Sequence, residues 1–269
     1  MLTYFIFLLF FIVIPLMVIS FFYYKKYRGG EEYQKTMIKK ILIVLAILII
    51  VAITYTTPWD NFLVENGIWY YETSKVMGIL IGFVPIEEYG FFVLQTLFIG
   101  LLFGWILLHR KKISHNQNNF RVNLRLISAI GLLIVWIVGF LAFINRIETL
   151  TYLNLILLWG IPPIMIQLIY GADILWLYNR DLISVISLST IYLAIADTIA
   201  IADGIWTISI NTSTGILLAG VLPIEEFVFF LVTNILITFG LTLMIDSRSI
   251  DRFHQYFSRL KEHKWRNKL

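Results

Sequence analysis

Apolar residues in this chain run together in blocks of about 20 instead of alternating with polar ones. Seven such blocks can be bounded: 2–24, 40–57, 77–108, 122–144, 150–170, 182–200 and 215–245. A block of that length crosses the roughly 30 Å hydrocarbon core of a bilayer as a helix. A membrane β-barrel would show alternating segments of roughly ten residues. The pattern therefore predicts an all-α polytopic membrane protein with seven transmembrane helices. No two blocks lie more than about 20 residues apart, which leaves no room for a soluble domain between them. Block 2–24 is expected to be retained rather than cleaved, because no positive charge precedes it and Lys25, Lys26 and Arg28 follow it.

Composition agrees with a lipid environment. Of 269 residues, 59% are hydrophobic and only 14% charged, with a mean hydropathy of +0.83; a water-soluble domain carries about 25% charged residues. The absence of cysteine excludes disulfides, thiolate metal sites and cysteine nucleophiles. The placement of the basic residues then predicts orientation. With the N-terminus outside, the inner segments 25–40, 109–125, 171–182 and the tail from 246 carry 6, 5, 1 and 7 Lys and Arg, and the outer segments hold only Lys75 and Arg146. Such a bias places the C-terminus in the cytoplasm. It also accounts for the pI near 9.1 without a nucleic-acid partner and suits a multi-pass protein of the cell membrane in contact with anionic lipid.

An internal repeat organises the chain. Leu2-Thr3-Tyr4 with Pro15 recurs as Leu150-Thr151-Tyr152 with Pro163, at an offset of 148. Asp60, Gly67-Ile68-Trp69 and Gly78-Ile79-Leu80 recur as Asp197, Gly204-Ile205-Trp206 and Gly215-Ile216-Leu217, at 137. Pro85-Ile86-Glu87-Glu88 and Phe91-Phe92 recur as Pro223-Ile224-Glu225-Glu226 and Phe229-Phe230, at 138. The shifting offset is that of duplication followed by loop insertions and deletions. Residues 1–110 then form a first three-helix repeat, 122–144 a linker transmembrane helix, 150–245 a second three-helix repeat and 246–269 a basic cytoplasmic tail. This 3+1+3 order makes the two repeats parallel, related by a pseudo-two-fold axis along the membrane normal, so matching motifs sit at one depth.

Four acids stand inside the longest apolar blocks: Glu87, Glu88, Glu225 and Glu226. A charge within the bilayer costs several kcal/mol and marks a functional site by default. Each block is too long for one upright helix, and proline suits the first turn of a helix. Helices are therefore expected to start at Pro85 and Pro223, with 78–84 and 215–222 dipping in from outside. The carboxyl pairs then fall in the first helical turn, where the helix dipole favours a carboxylate while desolvation and like charge favour the acid. One Glu of each pair can face a cavity and the other support it, a state suited to general acid–base catalysis. Asp60, Asp197 and Asp203 sit near the same level and are candidate supporting acids. Trp69 and Trp206 put indoles at the outer interface, and Phe91, Phe92, Phe229 and Phe230 follow the Glu pairs in register. Aromatic faces stabilise cations, so these six are the candidate lining of a site for carbocation chemistry on an apolar substrate.

Absences narrow the choice. No Asp-rich DDxxD-type cluster is present to hold magnesium diphosphate, the last block lacks a lysine for a retinal Schiff base, and no dinucleotide Gly-x-Gly-x-x-Gly follows a strand. His109, His115, His254 and His263 all fall on the inner side, away from the Glu pairs, and no metal site is expected.

With two Pro-Ile-Glu-Glu motifs, each opening the third helix of a three-helix repeat, residues 2–245 resemble the membrane-embedded lycopene cyclases of archaea, actinobacteria and fungi. Their two halves occur fused, as here, or as separate subunits. The resemblance implies an acid–base isomerisation that closes the ψ end groups of lycopene, or of a related C40 or C50 carotene, to β-ionone rings. No cofactor is implied, the carotenoid enters from the bilayer, and other carotenoid-pathway enzymes are candidate partners. Pro85, Glu87, Glu88, Pro223, Glu225 and Glu226 match the family motif. The alternative is a small-solute transporter resembling the SWEET carriers, which share the 3+1+3 order. A sugar path, however, needs polar side chains across the whole membrane depth, and here they gather in the outer third.

Overall fold

The computed structural model describes residues 2–110 and 122–266, with side chains as far as Ser258 except Phe257. His115, the basic residues of 111–121, the side chain of His263 and the rest of the basic tail lie outside what is described. Eight helices carry most of the chain. They are α1 (Tyr4–Gly29), α2 (Glu32–Glu65), α3 (Ile86–His109), α4 (Val122–Ile144), α5 (Thr151–Leu175), α6 (Asn179–Ala202), α7 (Ile224–Ile245) and α8 (Ser247–Arg266). Among the described residues six apolar stretches are long enough to cross a membrane. The longest, Glu148–Ala202, breaks where Gly171 leaves helical geometry and a 3-10 turn spans Trp176–Tyr178, so counting α5 and α6 separately gives seven.

Local chemistry explains where these helices start and bend. Thr3 caps α1 by accepting from the Ile6 N–H. A π-helical turn at Leu9–Val13 runs up to Pro15, whose missing N–H and bulky ring disrupt the regular ladder. At the C-termini of α2 and α6 the repeated Gly-Ile has a specific task. Gly67 (φ 65°) and Gly204 (φ 70°) take the left-handed conformation that glycine tolerates best. The Ile68 and Ile205 N–H groups then bond back to Leu63 and Ala200, and Gly67 and Gly204 bond to Val64 and Ile201. Both helices end in this way with the isoleucine buried beneath the turn.

Three of the boundaries expected from hydropathy move. Helix α2 extends from Glu32 to Glu65, well past the block 40–57, so Asp60 is inside the helix with Pro58 just before it. Helices α3 and α7 begin at Ile86 and Ile224, with Pro85 and Pro223 as the N-cap residues. Residues 77–85 and 215–223, counted above with the apolar blocks, are not helical. In them β2 (Leu80–Ile81) pairs with β3 (Val84–Pro85), and β5 (Leu217–Leu218) pairs with β6 (Leu222–Pro223). Each hairpin ends on the proline of the motif and runs straight into its helix.

The two halves are stitched by a third strand pair, β1 (Trp69–Tyr71) against β4 (Trp206–Ile208), antiparallel, with Tyr70 opposite Thr207. These two residues are equivalents at the 137 offset, so each strand faces its own counterpart. Helix contacts follow the same pairing. α3 packs on α1 and α2 as α7 packs on α5 and α6; α2 also touches α7, α6 touches α3, and α3 meets α7 at the centre. The apolar windows of α3 and α7 are 61% buried, against 11% for α4, which leans on α5 with most of its surface outward. Its exposed Leu126, Ile127, Ile130, Ile134 and Val138 suit a lipid-facing helix.

Candidate active site

The start of each central helix places its two glutamates on different tasks, because successive side chains on a helix point about 100° apart. Glu87 Oε1 accepts the Met77 N–H at 2.5 Å, and Glu225 Oε1 accepts the Thr214 N–H at 2.6 Å. Each thereby anchors the strand that leads into its hairpin. Glu88 and Glu226 instead turn inward and line a single cavity of about 30 Å³, the space of one or two waters. Both motifs, 138 residues apart in the chain, meet across this space.

Tyrosines hold the inward pair. Glu88 Oε2 accepts from Tyr4 at 2.5 Å and from Tyr71 at 3.0 Å. Glu226 Oε1 accepts from Tyr152 at 2.6 Å. Tyr4 and Tyr152 are the tyrosines of the repeated Leu-Thr-Tyr, and both are fully buried. The site is woven across the repeats, since each tryptophan covers the other half's tyrosine. Trp206 lies 4.9 Å from the Tyr4 ring and Trp69 lies 5.9 Å from that of Tyr152. The β1–β4 pairing makes this exchange possible, because it carries Trp69 and Trp206 across the interface.

Asp197 lines the cavity and accepts the Trp206 indole N–H at 2.9 Å. Asp60 lies behind the wall, 1% exposed, and neither of its oxygens has a hydrogen-bond partner. Asp203 stands elsewhere. It is outside the cavity, paired at 3.1 Å with Lys75, which also donates to the Asp203 carbonyl, and it accepts the Leu2 N–H. Among the described residues the ion pairs are Lys75–Asp203, Arg110–Asp181, Arg248–Asp246 and Arg252–Asp173. None involves Asp60, Asp197 or the four glutamates. Six carboxyls are thus buried without an ion-pair partner among the described residues, an arrangement that is costly when all are charged.

Aromatic rings close the walls. Phe91, Phe229 and Phe230 line the acid cavity together with Trp69 and Trp206, so the indoles expected at the outer interface are partly or wholly buried over the acids. Phe92 turns away into a second cavity of about 190 Å³ between α2, α3, α5 and α7. Phe229 borders both spaces. Beside it Trp59 and Trp159 stack at 4.8 Å, and Trp59 lies face to face with Phe229 at 5.7 Å. The second cavity is mainly apolar, with Tyr55, Thr56, Gln95 and Gln167 among its few polar groups.

Sequence reasoning missed Tyr71, Trp59 and Trp159, whose positions in the other repeat hold Ile208, Ala196 and Phe11. Tyr4 and Tyr152 were visible as repeat markers, but nothing in the chain order tied them to the glutamates.

Comparison with known proteins accords with this geometry. The chain is 36% identical over 193 residues to the lycopene beta-cyclase of Halobacterium salinarum, covering 72% of this chain and 78% of the relative. The chain belongs to the lycopene cyclase family. It is also 34% identical over 199 residues to the bifunctional lycopene cyclase/phytoene synthase of Aspergillus oryzae, over 71% of this chain and 32% of that one. The corresponding protein of Podospora anserina is 35% identical over 199 residues, covering 72% and 34%. No family model matches the chain, and no solved structure matches it. Membership makes this an enzyme of carotenoid biosynthesis.

Proposed function

We propose that the chain is a lycopene beta-cyclase, an intramolecular lyase or isomerase that closes the ψ ends of lycopene to β-ionone rings with no net redox change. The observation that carries this reading is the single small cavity in which Glu88 and Glu226 meet under aromatic walls. In its acid form, one of the two glutamates protonates the secondary carbon of the terminal double bond. The neighbouring internal double bond attacks the resulting tertiary cation, closing a six-membered ring and moving the charge to the ring carbon that bears the methyl group. The other glutamate, as carboxylate, removes a ring proton and restores a double bond. Bonds and charge balance, and the proton lost equals the proton gained.

The surrounding residues have distinct parts in this reading. Trp69, Trp206, Phe91, Phe229 and Phe230 present ring faces to the cation and keep water from trapping it. Tyr4, Tyr71 and Tyr152 fix the carboxyls, Asp197 and Asp60 are the supporting acids, and Glu87 and Glu225 hold the hairpins. Phe92 and the second cavity receive the polyene behind the reacting end, past Phe229. Pro85 and Pro223 set the helix starts.

The same proposal includes two parallel repeats, 1–110 and 150–245, joined by the linker helix 122–144 and followed by the basic tail 246–269. The N-terminus is then outside and the C-terminus cytoplasmic, in the cell membrane, with carotenoid and lipid reaching the site laterally and other carotenoid-pathway enzymes as partners. The counterpart helix contacts and the β1–β4 register support this arrangement. No observation favours solute transport.

The test is expression in cells that accumulate lycopene, with pigments analysed once the protein is demonstrated in the membrane. Cyclic carotenes are expected; lycopene unchanged would overturn the reading.

A further inference from the structure

The two inward glutamates are not equivalent, although the repeat makes them so by position. Glu88 Oε2 accepts two phenol hydroxyls, from Tyr4 and Tyr71. Glu226 accepts one, from Tyr152; the Trp69 indole N–H lies near it without a hydrogen-bond partner. The difference is written in the sequence. At the 137 offset the counterpart of Tyr71 is Ile208, which has no hydroxyl to offer. The aspartates differ as well, since Asp197 is part of the cavity wall and Asp60 is not.

A carboxylate only accepts hydrogen bonds, and each O–H donor aimed at it stabilises that charge-accepting form. A carboxyl with fewer donors is the better keeper of a proton. Resting on the cyclase reading above, we infer that Glu226, which accepts from one phenol where Glu88 accepts from two, is the group that protonates the substrate. Glu88, held by Tyr4 and Tyr71, is the group that removes the ring proton. Tyr71 is then a positioning residue for the second step. It directs Glu88 at one of three acidic positions next to the cation. Loss of the proton on the polyene-bearing carbon gives the β ring, on the opposite ring carbon the ε ring, and on the methyl group an exocyclic double bond.

Ring type therefore separates the two roles. In lycopene-accumulating cells, Glu226→Gln is expected to lower total ring formation about 100-fold or more, the usual scale for losing a general acid. Glu88→Gln is expected to retain measurable ring formation but to divert part of the product to ε, exocyclic or hydroxylated end groups. Tyr71→Phe, a variant that removes only a hydroxyl, should give the same diversion in milder form, and Tyr152→Phe should slow cyclisation with the product still β. Should Glu88→Gln fail to reach the membrane, Tyr71→Phe against Tyr152→Phe decides. Altered rings from the Glu226 or Tyr152 variant would overturn the assignment, as would purely β rings from both Glu88→Gln and Tyr71→Phe. Wild-type protein that forms no rings at all overturns the cyclase reading instead, so the two failures are distinguishable.

Discussion

The first and second halves of the chain carry the same tetrapeptide, the same Gly-Ile turn and the same Leu-Thr-Tyr, yet the two half-sites differ. In the first, two tyrosines converge on Glu88 and Asp60 is buried without a hydrogen-bond partner. In the second, one tyrosine meets Glu226, while Asp197 reaches the cavity and is tied to Trp206. The repeated segments thus bring two acids to one cavity, and a few unmatched residues make their surroundings unequal. The two copies of the motif form one cavity with two unequal walls.

The comparison can be broken most forcefully at the tyrosines. Tyr152 is the only phenol on Glu226 among the described residues, so Tyr152→Phe is expected to cut the cyclisation rate about 30-fold, on the scale of a hydrogen bond to a charged group. Tyr4→Phe leaves Tyr71 on Glu88 and is expected to cost about tenfold or less. Rates of ring formation in isolated membranes check this order, and equal losses would mean that the half-sites act alike.

A smaller effect tests the split within each Glu-Glu pair. Glu225→Ala leaves the Thr214 N–H without its acceptor and is expected to lower stability by about 1–3 kcal/mol, read as a lower unfolding temperature in detergent. Glu225→Gln keeps an acceptor oxygen and should remain close to wild type in both stability and ring formation. A folded but inactive Glu225→Gln would put Glu225 into the reaction itself.

The smallest effect concerns Asp203, which lies outside the cavity at the seam between the halves. The Lys75 ammonium bonded to its side chain holds the Asp203 carboxyl below the usual carboxylate range. A lowered value means that the pair's contribution is fully present above the ordinary aspartate value, about 4, and is lost as pH falls through the lowered one. The unfolding temperature of Asp203→Asn should accordingly sit slightly below wild type at neutral pH, and the gap should close in acid. Because the Asp203 carboxyl is exposed, although Lys75 is buried, the gap is expected to be small; a gap that persists undiminished in strong acid would exclude the pair as its source.

How much was legible beforehand varies by element. Among the described residues the apolar blocks identified the seven apolar helices α1–α7 but not the polar helix α8, because a span must satisfy its backbone internally and show an apolar surface to lipid. Their ends were less visible. Helix α2 continues through polar Asp60 and Asn61, since Asp60 is shielded by neighbouring helices instead of meeting water. Pro85 and Pro223 marked the helix starts within one residue, because a proline ring disfavours helix just before it. The paired β1 and β4 strands were invisible, as two three-residue segments at an offset of 137 carry no local signal of pairing. Asp203 was grouped with Asp197 as a candidate supporting acid, but of the two only Asp197 lines the cavity.

Sequence alone determined the membrane setting, the duplication and the four glutamates that break the apolar pattern, because each is a matter of composition or of order along the chain. Tertiary structure decided which glutamate of each pair faces the cavity, that Trp69 and Trp206 cross to the opposite half, and that the Tyr71 hydroxyl reaches Glu88. Those choices depend on the direction of a side chain about a helix axis and on strands meeting across the repeat interface. Both are set by packing in three dimensions, and neither leaves a trace in the spacing of residues.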